Sequence, residues 1–191
     1  MNTPAHLIFG AAAFARPGDR AVNVAALSGA LLPDLSLFLL AGWSLFVLGI
    51  PAETVFGTLY FSPLWQGIFA IDNSIPLWSL GLGWGLYRRN RVIIAFAGAG
   101  LLHLGFDLPL HNEDARRHFW PLSDWVFRSP VSYWDPQRYG RITAPIEIGI
   151  CLILCVVLWR RFKRWPARAM IAAGALAEVM PGVMFALMFR G

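Results

Sequence analysis

From Ile142 to Trp159 the chain carries apolar and small residues, a single acid at Glu147, and no base. A bilayer-crossing helix needs about 20 mostly apolar residues. In hydrocarbon a segment must satisfy its own backbone hydrogen bonds, so helix is the conformation left to it. Five further apolar runs share this character: Thr3–Phe14, Ala21–Ile50, Leu64–Tyr87, Val92–Leu108 and Ala169–Met188. The reading is an all-α, polytopic transmembrane helix bundle of five to six spans, with residues 1–191 as a single integral membrane domain. Composition leaves little room for anything else: 57% of the 191 residues are hydrophobic and 14% charged, against about 25% charged in an average soluble domain.

Two runs carry interruptions. Ala21–Ile50 contains Leu32-Pro33-Asp34, and proline removes a helix hydrogen bond and disfavours helix in the residue before it. That run is expected to be either one kinked span or a re-entrant piece followed by a helix. Leu64–Tyr87 contains Asp72-Asn73-Ser74 and Pro76 at positions where lipid is expected. There is no internal repeat, and the N-terminal residues lack the charged region and small-residue cleavage site of a signal peptide.

The net charge of +5 does not describe a nucleic-acid binder, whose cations would gather on one exposed face. Here the dense basic groups punctuate the apolar runs: Arg16 and Arg20, then Arg88, Arg89 and Arg91, then Arg160, Arg161, Lys163, Arg164 and Arg168. With six crossings, the positive-inside rule puts all three groups in the cytoplasm. Both termini, residues 51–63 and the polar stretch 111–141 then lie outside, across a bacterial-type inner membrane. This topology brings His6, Asp72, His103 and Asp107 toward the outer face, with Asp34 in reach if its helix bends at Pro33.

Ionisable side chains inside spans are costly and tend to face a bundle interior or a wet cavity. His103 and Asp107 are one helical turn apart and share a face. His111 follows at the same interval beyond Pro109, and Asp114 and His118 repeat it. Mixed imidazole and carboxylate ligands suit Zn²⁺, Mn²⁺ or Fe²⁺, and an open coordination position would activate water. The metal candidates are therefore His6, His103, Asp107, His111, Asp114 and His118, with Asp34 and Asp72 as catalytic acids or bases. The bland alternative for His103 and Asp107 is a mutual hydrogen bond that fixes neighbouring helices.

The opening Thr3-Pro4-Ala5-His6-Leu7-Ile8-Phe9-Gly10, the Gly29-Ala-Leu-Leu-Pro33-Asp34 turn, and Leu102-His103-Leu-Gly-Phe-Asp107 with Phe119-Trp120-Pro121-Leu122 resemble a family of small inner-membrane proteins described as membrane-bound metal-dependent hydrolases. The resemblance implies that His6, Asp34, His103 and Asp107 match that family's polar positions. The chain departs from the pattern at Ser36, where the family has a second acid, and at Asn73, where it has histidine. Such relatives are in some cases described as cobalamin-biosynthesis proteins.

Two functions follow as expectations. One is cleavage of a lipid-linked or phosphorylated substrate at the outer face. The other is a non-catalytic transporter component or membrane assembly factor, in a cofactor pathway such as that of cobalamin. Among the remaining features, Trp120, Trp125, Tyr133 and Trp134 could stack on a ligand but fit an interfacial aromatic belt better. Arg116, Arg117 and Arg128 could clamp a phosphate but fit a lipid-headgroup contact or a solvated loop better. Gly10, Gly98 and Gly100 suit close helix packing, and Cys151 and Cys155 suit small packed hydrophobes. Glu147 and Glu178 read equally as buried partners or proton carriers.

Overall fold

The structure, a computed structural model, describes residues 1–133 and 135–188, and the side chains up to residue 180. Trp134, one of the expected belt residues, lies outside the described residues. Among the described residues there is no strand. The helices are α1 (Thr3–Phe14), α2 (Arg20–Gly42, continued by a wide turn at Trp43–Val47), the one-turn α3 (Ala52–Thr54), α4 (Pro63–Asp72), α5 (Ile75–Tyr87), α6 (Arg91–Asp107), α7 (Gly140–Arg161) and α8 (Trp165–Met188).

Three helical stretches are long and apolar enough to cross a membrane: Arg20–Val47, Arg91–Leu110 and Gly140–Arg161. Large apolar side chains on their outer faces, such as Phe38 and Leu39 on α2 and Ile146, Ile153 and Val156 on α7, are exposed. Apolar surface of that extent belongs against lipid, so this is the architecture of a membrane protein.

The run Ala21–Ile50 is one helix through Pro33, not a re-entrant piece followed by a helix. The Pro33 carbonyl accepts from Asn73 Nδ2 at 3.1 Å and from Arg116 Nη1 at 3.3 Å.

The run Leu64–Tyr87 is two helices, α4 and α5, joined at Asn73-Ser74. Pro76 sits in the first turn of α5, where its missing N–H costs nothing, and the Ser74 side chain caps that turn by accepting from the Leu77 N–H. Asn73, fully buried, adds a bond from Nδ2 to the Phe69 carbonyl at 3.0 Å. Asparagine at this position is a bracket between the break in α4–α5 and the proline of α2. At about 1.5 Å rise per residue, neither α4 nor α5 alone reaches across a hydrocarbon core of about 30 Å.

Small residues let α1, α2 and α6 approach closely. A Cβ on Gly29 of α2 would lie 2.0 Å from the Phe96 carbonyl oxygen of α6. On Gly98 it would lie 2.5 Å from the Phe14 ring, on Gly100 2.3 Å from Trp78, and on Gly10 2.8 Å from Ala30 Cβ. Val22, Ala25, Ala26 and Ala95 bury together at one end of this trio. α7 joins it through Cys151 and Cys155, both free and buried against Ala5 and Ile8.

The bundle has two chemically distinct ends. At one, Arg161 Nη1 donates to the carbonyls of Ala12 and Ala15, at 2.8 and 3.3 Å, tying the C-terminal end of α7 to that of α1. At the other, the N-terminal ends of α1 and α7 meet the C-terminal end of α6 beneath the polar stretch that follows Leu110.

Candidate metal centre

Asp107, at the last position of α6, is the hub of this polar end. Its Oδ1 lies 3.0 Å from His6 Nε2, 3.0 Å from the Met1 ammonium and 3.3 Å from His111 Nε2, and its Oδ2 lies 3.0 Å from His103 Nε2. His6, from the second turn of α1, stacks flat on His103, with ring centroids 3.4 Å apart and planes 6° from parallel. His6, His103 and Asp107 are buried, and each offers a ligand atom within 4.8 Å of the others.

The Met1 ammonium donates an ordinary hydrogen bond to Oδ1, but the His6 and His103 contacts are different. His103 Nδ1 lies 2.7 Å from the Ala30 carbonyl, an acceptor only, so Nδ1 donates its proton there and Nε2 is the ring atom left facing the carboxylate. The distances from Asp107 to His6 Nε2 and His103 Nε2 are short, but the ring N–H directions miss its oxygens. Both Nε2 atoms are left without a hydrogen bond, as is His6 Nδ1. Buried polar atoms without partners are rare, and here two imidazole nitrogens and a carboxylate oxygen lie close enough together to share one cation. Two imidazoles and one carboxylate suit Zn²⁺, Mn²⁺ or Fe²⁺, and a ligand histidine held through its other nitrogen by a backbone carbonyl is the usual supporting arrangement. The residues present therefore fit a divalent ion.

Asp34 reaches this cluster from α2. Its Oδ1 stands 3.7 Å from His103 Nε2, and its Oδ2 accepts from Thr3 Oγ1 at 2.6 Å. His111 and Asp114 form the rim: His111 Nδ1 lies 2.6 Å from Asp114 Oδ2. Burial disfavours the charged form of His111, but its hydrogen bonds to Asp107 and Asp114 outweigh that and lift its pKa above the usual histidine value. Burial likewise opposes the Asp114 carboxylate, and the bond from His111 more than offsets it, so its pKa lies below the usual range.

Two expected site residues stand apart. The Asp72 carboxylate does not border the cavity beside the cluster. α4 stops at Asp72, and the Asn73-Ser74 turn carries the chain off on a new axis, fixed by the Trp78 indole donating to the Asp72 carbonyl at 2.7 Å. His118 is buried but turns to the same break, its Nδ1 3.1 Å from the Asn73 carbonyl. Burial pushes its pKa below the ordinary histidine value. Neither belongs to the group that can hold an ion.

That cavity, of about 500 Å³, is bordered by Asp34, Asp107, His111, Asp114, Tyr60 and Arg116 on its polar side. Arg116 is buried, contrary to the expected lipid-headgroup contact or solvated loop, with its guanidinium 4.6 Å over the Phe69 ring. Arg117 fits that expectation better, pairing at 3.1 Å with the exposed Asp124. Tyr133, read as a belt residue, is buried and accepts from Asn2 Nδ2 at 2.7 Å. Glu147 and Glu178 are buried, and Glu147 accepts from the Asn2 N–H at 3.1 Å.

Sequence reasoning missed the Ala30 carbonyl, Thr3, the Met1 ammonium and the burial of Arg116. Carbonyls carry no sequence signal, and an Arg-Arg pair in a polar stretch looks solvated until the fold places Pro33 against it. Comparison of the sequence with protein-family profiles and curated proteins, and of the fold with solved structures, gave no match.

Proposed function

We propose that this chain is a membrane-embedded metal-dependent hydrolase that cleaves a lipid-linked or phosphorylated substrate at the membrane face opposite its basic clusters. By the positive-inside rule that face is the outer one of a bacterial-type inner membrane, with both termini outside. The observation that carries the reading is the convergence of unbonded His6 Nε2 and His103 Nε2 on Asp107 in a buried site.

His6, His103 and Asp107 would hold the ion, which when bound supplies Lewis acidity toward the scissile bond and acidifies water. Asp34, with Oδ2 fixed by Thr3, keeps Oδ1 directed at the cluster as the general base. His111, bridging Asp107 and Asp114, is placed to hold a proton at the rim. The apolar surroundings of α1, α2 and α6 keep bulk water from the cluster, which strengthens every charge interaction there.

Metal analysis of the purified protein tests this directly. One equivalent of a transition metal, lost in His103→Ala, is the expected result; absence of metal in both proteins would end the proposal. A second reading, a non-catalytic transporter component or assembly factor, draws on the Met1 ammonium, which already places one cation 3.0 Å from Asp107. On that reading the cluster fastens helices, and His103→Ala lowers stability equally with and without added metal.

A further inference from the structure

Arg116 has more donors than partners. A guanidinium carries five N–H groups in a rigid fork; here Nη1 reaches the Pro33 carbonyl at 3.3 Å, and the Tyr60 phenol lies beside it. Among the described residues, no carboxylate lies within ion-pair distance of it, although the residue is only 9% exposed. Its charge is met by the Phe69 ring, 4.6 Å from the guanidinium, and at longer range by Asp34 and Asp107, yet most of its N–H donors are left to bind something else. Arg116 borders the cavity that also opens onto Asp34 and Asp107.

The other side of that cavity is chemically opposite. Phe38, Phe56 and Phe61 border it, and they are 49%, 49% and 53% exposed. Phe38 stands on α2, one of the helices apolar enough to cross a membrane. A small hydrophilic anion would satisfy Arg116 and waste this apolar side. An amphiphile fills both.

We propose that the cavity binds the phosphate head of a single-chain or lipid-linked amphiphile, with Arg116 as the anion-recognition residue and Phe38, Phe56 and Phe61 receiving its hydrocarbon chain. The substrate class rests on the hydrolase reading above. Phosphate is preferred to carboxylate because its tetrahedral oxygens point in several directions. It can therefore engage the Arg116 fork on one side and the metal cluster on another, and the two are close: Arg116 donates to the residue next to Asp34. Asp34, Asp107 and Asp114 also border the cavity, so an anion is admitted only where cations offset them. Arg116 and the Met1 ammonium supply two, and an ion held by His6, His103 and Asp107 would supply a third.

The test compares hexadecyl phosphate, inorganic phosphate and hexadecanol by calorimetry on the detergent-solubilised full chain, with metal content measured in the same samples. Wild type is expected to bind hexadecyl phosphate about tenfold or more tighter than either single-feature probe. Arg116→Gln should lose about tenfold of that affinity, with Arg116→Lys intermediate and metal content unchanged in both.

Phe56→Ser, at an exposed position, should weaken hexadecyl phosphate and leave inorganic phosphate unaffected; it serves if Arg116→Gln fails to fold. Equal binding of hexadecyl phosphate by wild type and Arg116→Gln would overturn the assignment, as would equal affinity for inorganic and hexadecyl phosphate, which would mark the ligand as a free phosphate. A metal-free wild type that still shows the Arg116 dependence would refute the hydrolase reading and leave the anion site standing.

Discussion

The chemistry at this site turns on which nitrogen of His103 carries a proton. The Ala30 carbonyl takes the Nδ1 proton, which leaves Nε2, 3.0 Å from Asp107, as the ring atom available to an ion. His6→Ala and His103→Ala should each abolish stoichiometric metal, measured by elemental analysis. Asp34→Asn should retain the metal and lower turnover on a cleavable phosphate ester by about 10²-fold or more. Asp72→Asn should change neither, which separates the two acids that the sequence left equivalent. The pairing of His103 with Asp107 was legible, since one helical turn puts them on one face. The choice of Asp34 over Asp72 was not, because it depends on where α4 stops. That stop is set by Asn73 bonding to Pro33, a residue on another helix.

At the scale of elements, the close contact of α2 with α6 sets the positions of Asp34 and His103 together. Gly29 is the tightest point, with no room for a Cβ against the Phe96 carbonyl. Gly29→Ala should force the helices apart and lower stability by about 1–3 kcal/mol, read as a drop in the thermal midpoint of the detergent-solubilised protein. Gly149→Ala on α7, where nothing lies within 4 Å of the added carbon, should leave the midpoint unchanged or slightly raised. Apolar runs revealed most of the helices from the sequence alone. They did not reveal that α2 continues through Pro33 or that Leu64–Tyr87 is two helices. The bonds at Pro33 come from Asn73 and Arg116, far along the chain, whereas the α4–α5 break is made locally by Asn73 on Phe69 and the Ser74 cap.

For the whole molecule, the separation of a basic end from a polar end matters more than the number of crossings. Single cysteines introduced at Arg89 and at the exposed Asp124 should be labelled by a membrane-impermeant thiol reagent from opposite sides of a sealed vesicle, with Asp124 reactive from the periplasmic side. Labelling of both from one side would contradict the orientation, and labelling in the reverse sense would move the site to the cytoplasmic face without dissolving it. Counting arginines gave the expected direction and already brought His6, Asp72, His103 and Asp107, with Asp34 in reach, toward one face. The fold adds that His6, Asp34, His103 and Asp107 meet and that Asp72 stands apart.

Asn2 and His6, near the start of the chain, bond or pack to groups at 103, 107, 133 and 147. A ribosome makes those partners long after the first helix has emerged. α1 must therefore wait at the membrane, and its final seat exists only when α6 and then α7 have been inserted. The cluster is closed only when α6 arrives, so a chain stopped before α6 exposes His6 without His103 and Asp107. On the metal reading proposed above, capture of an ion would report that α1 and α6 have come together.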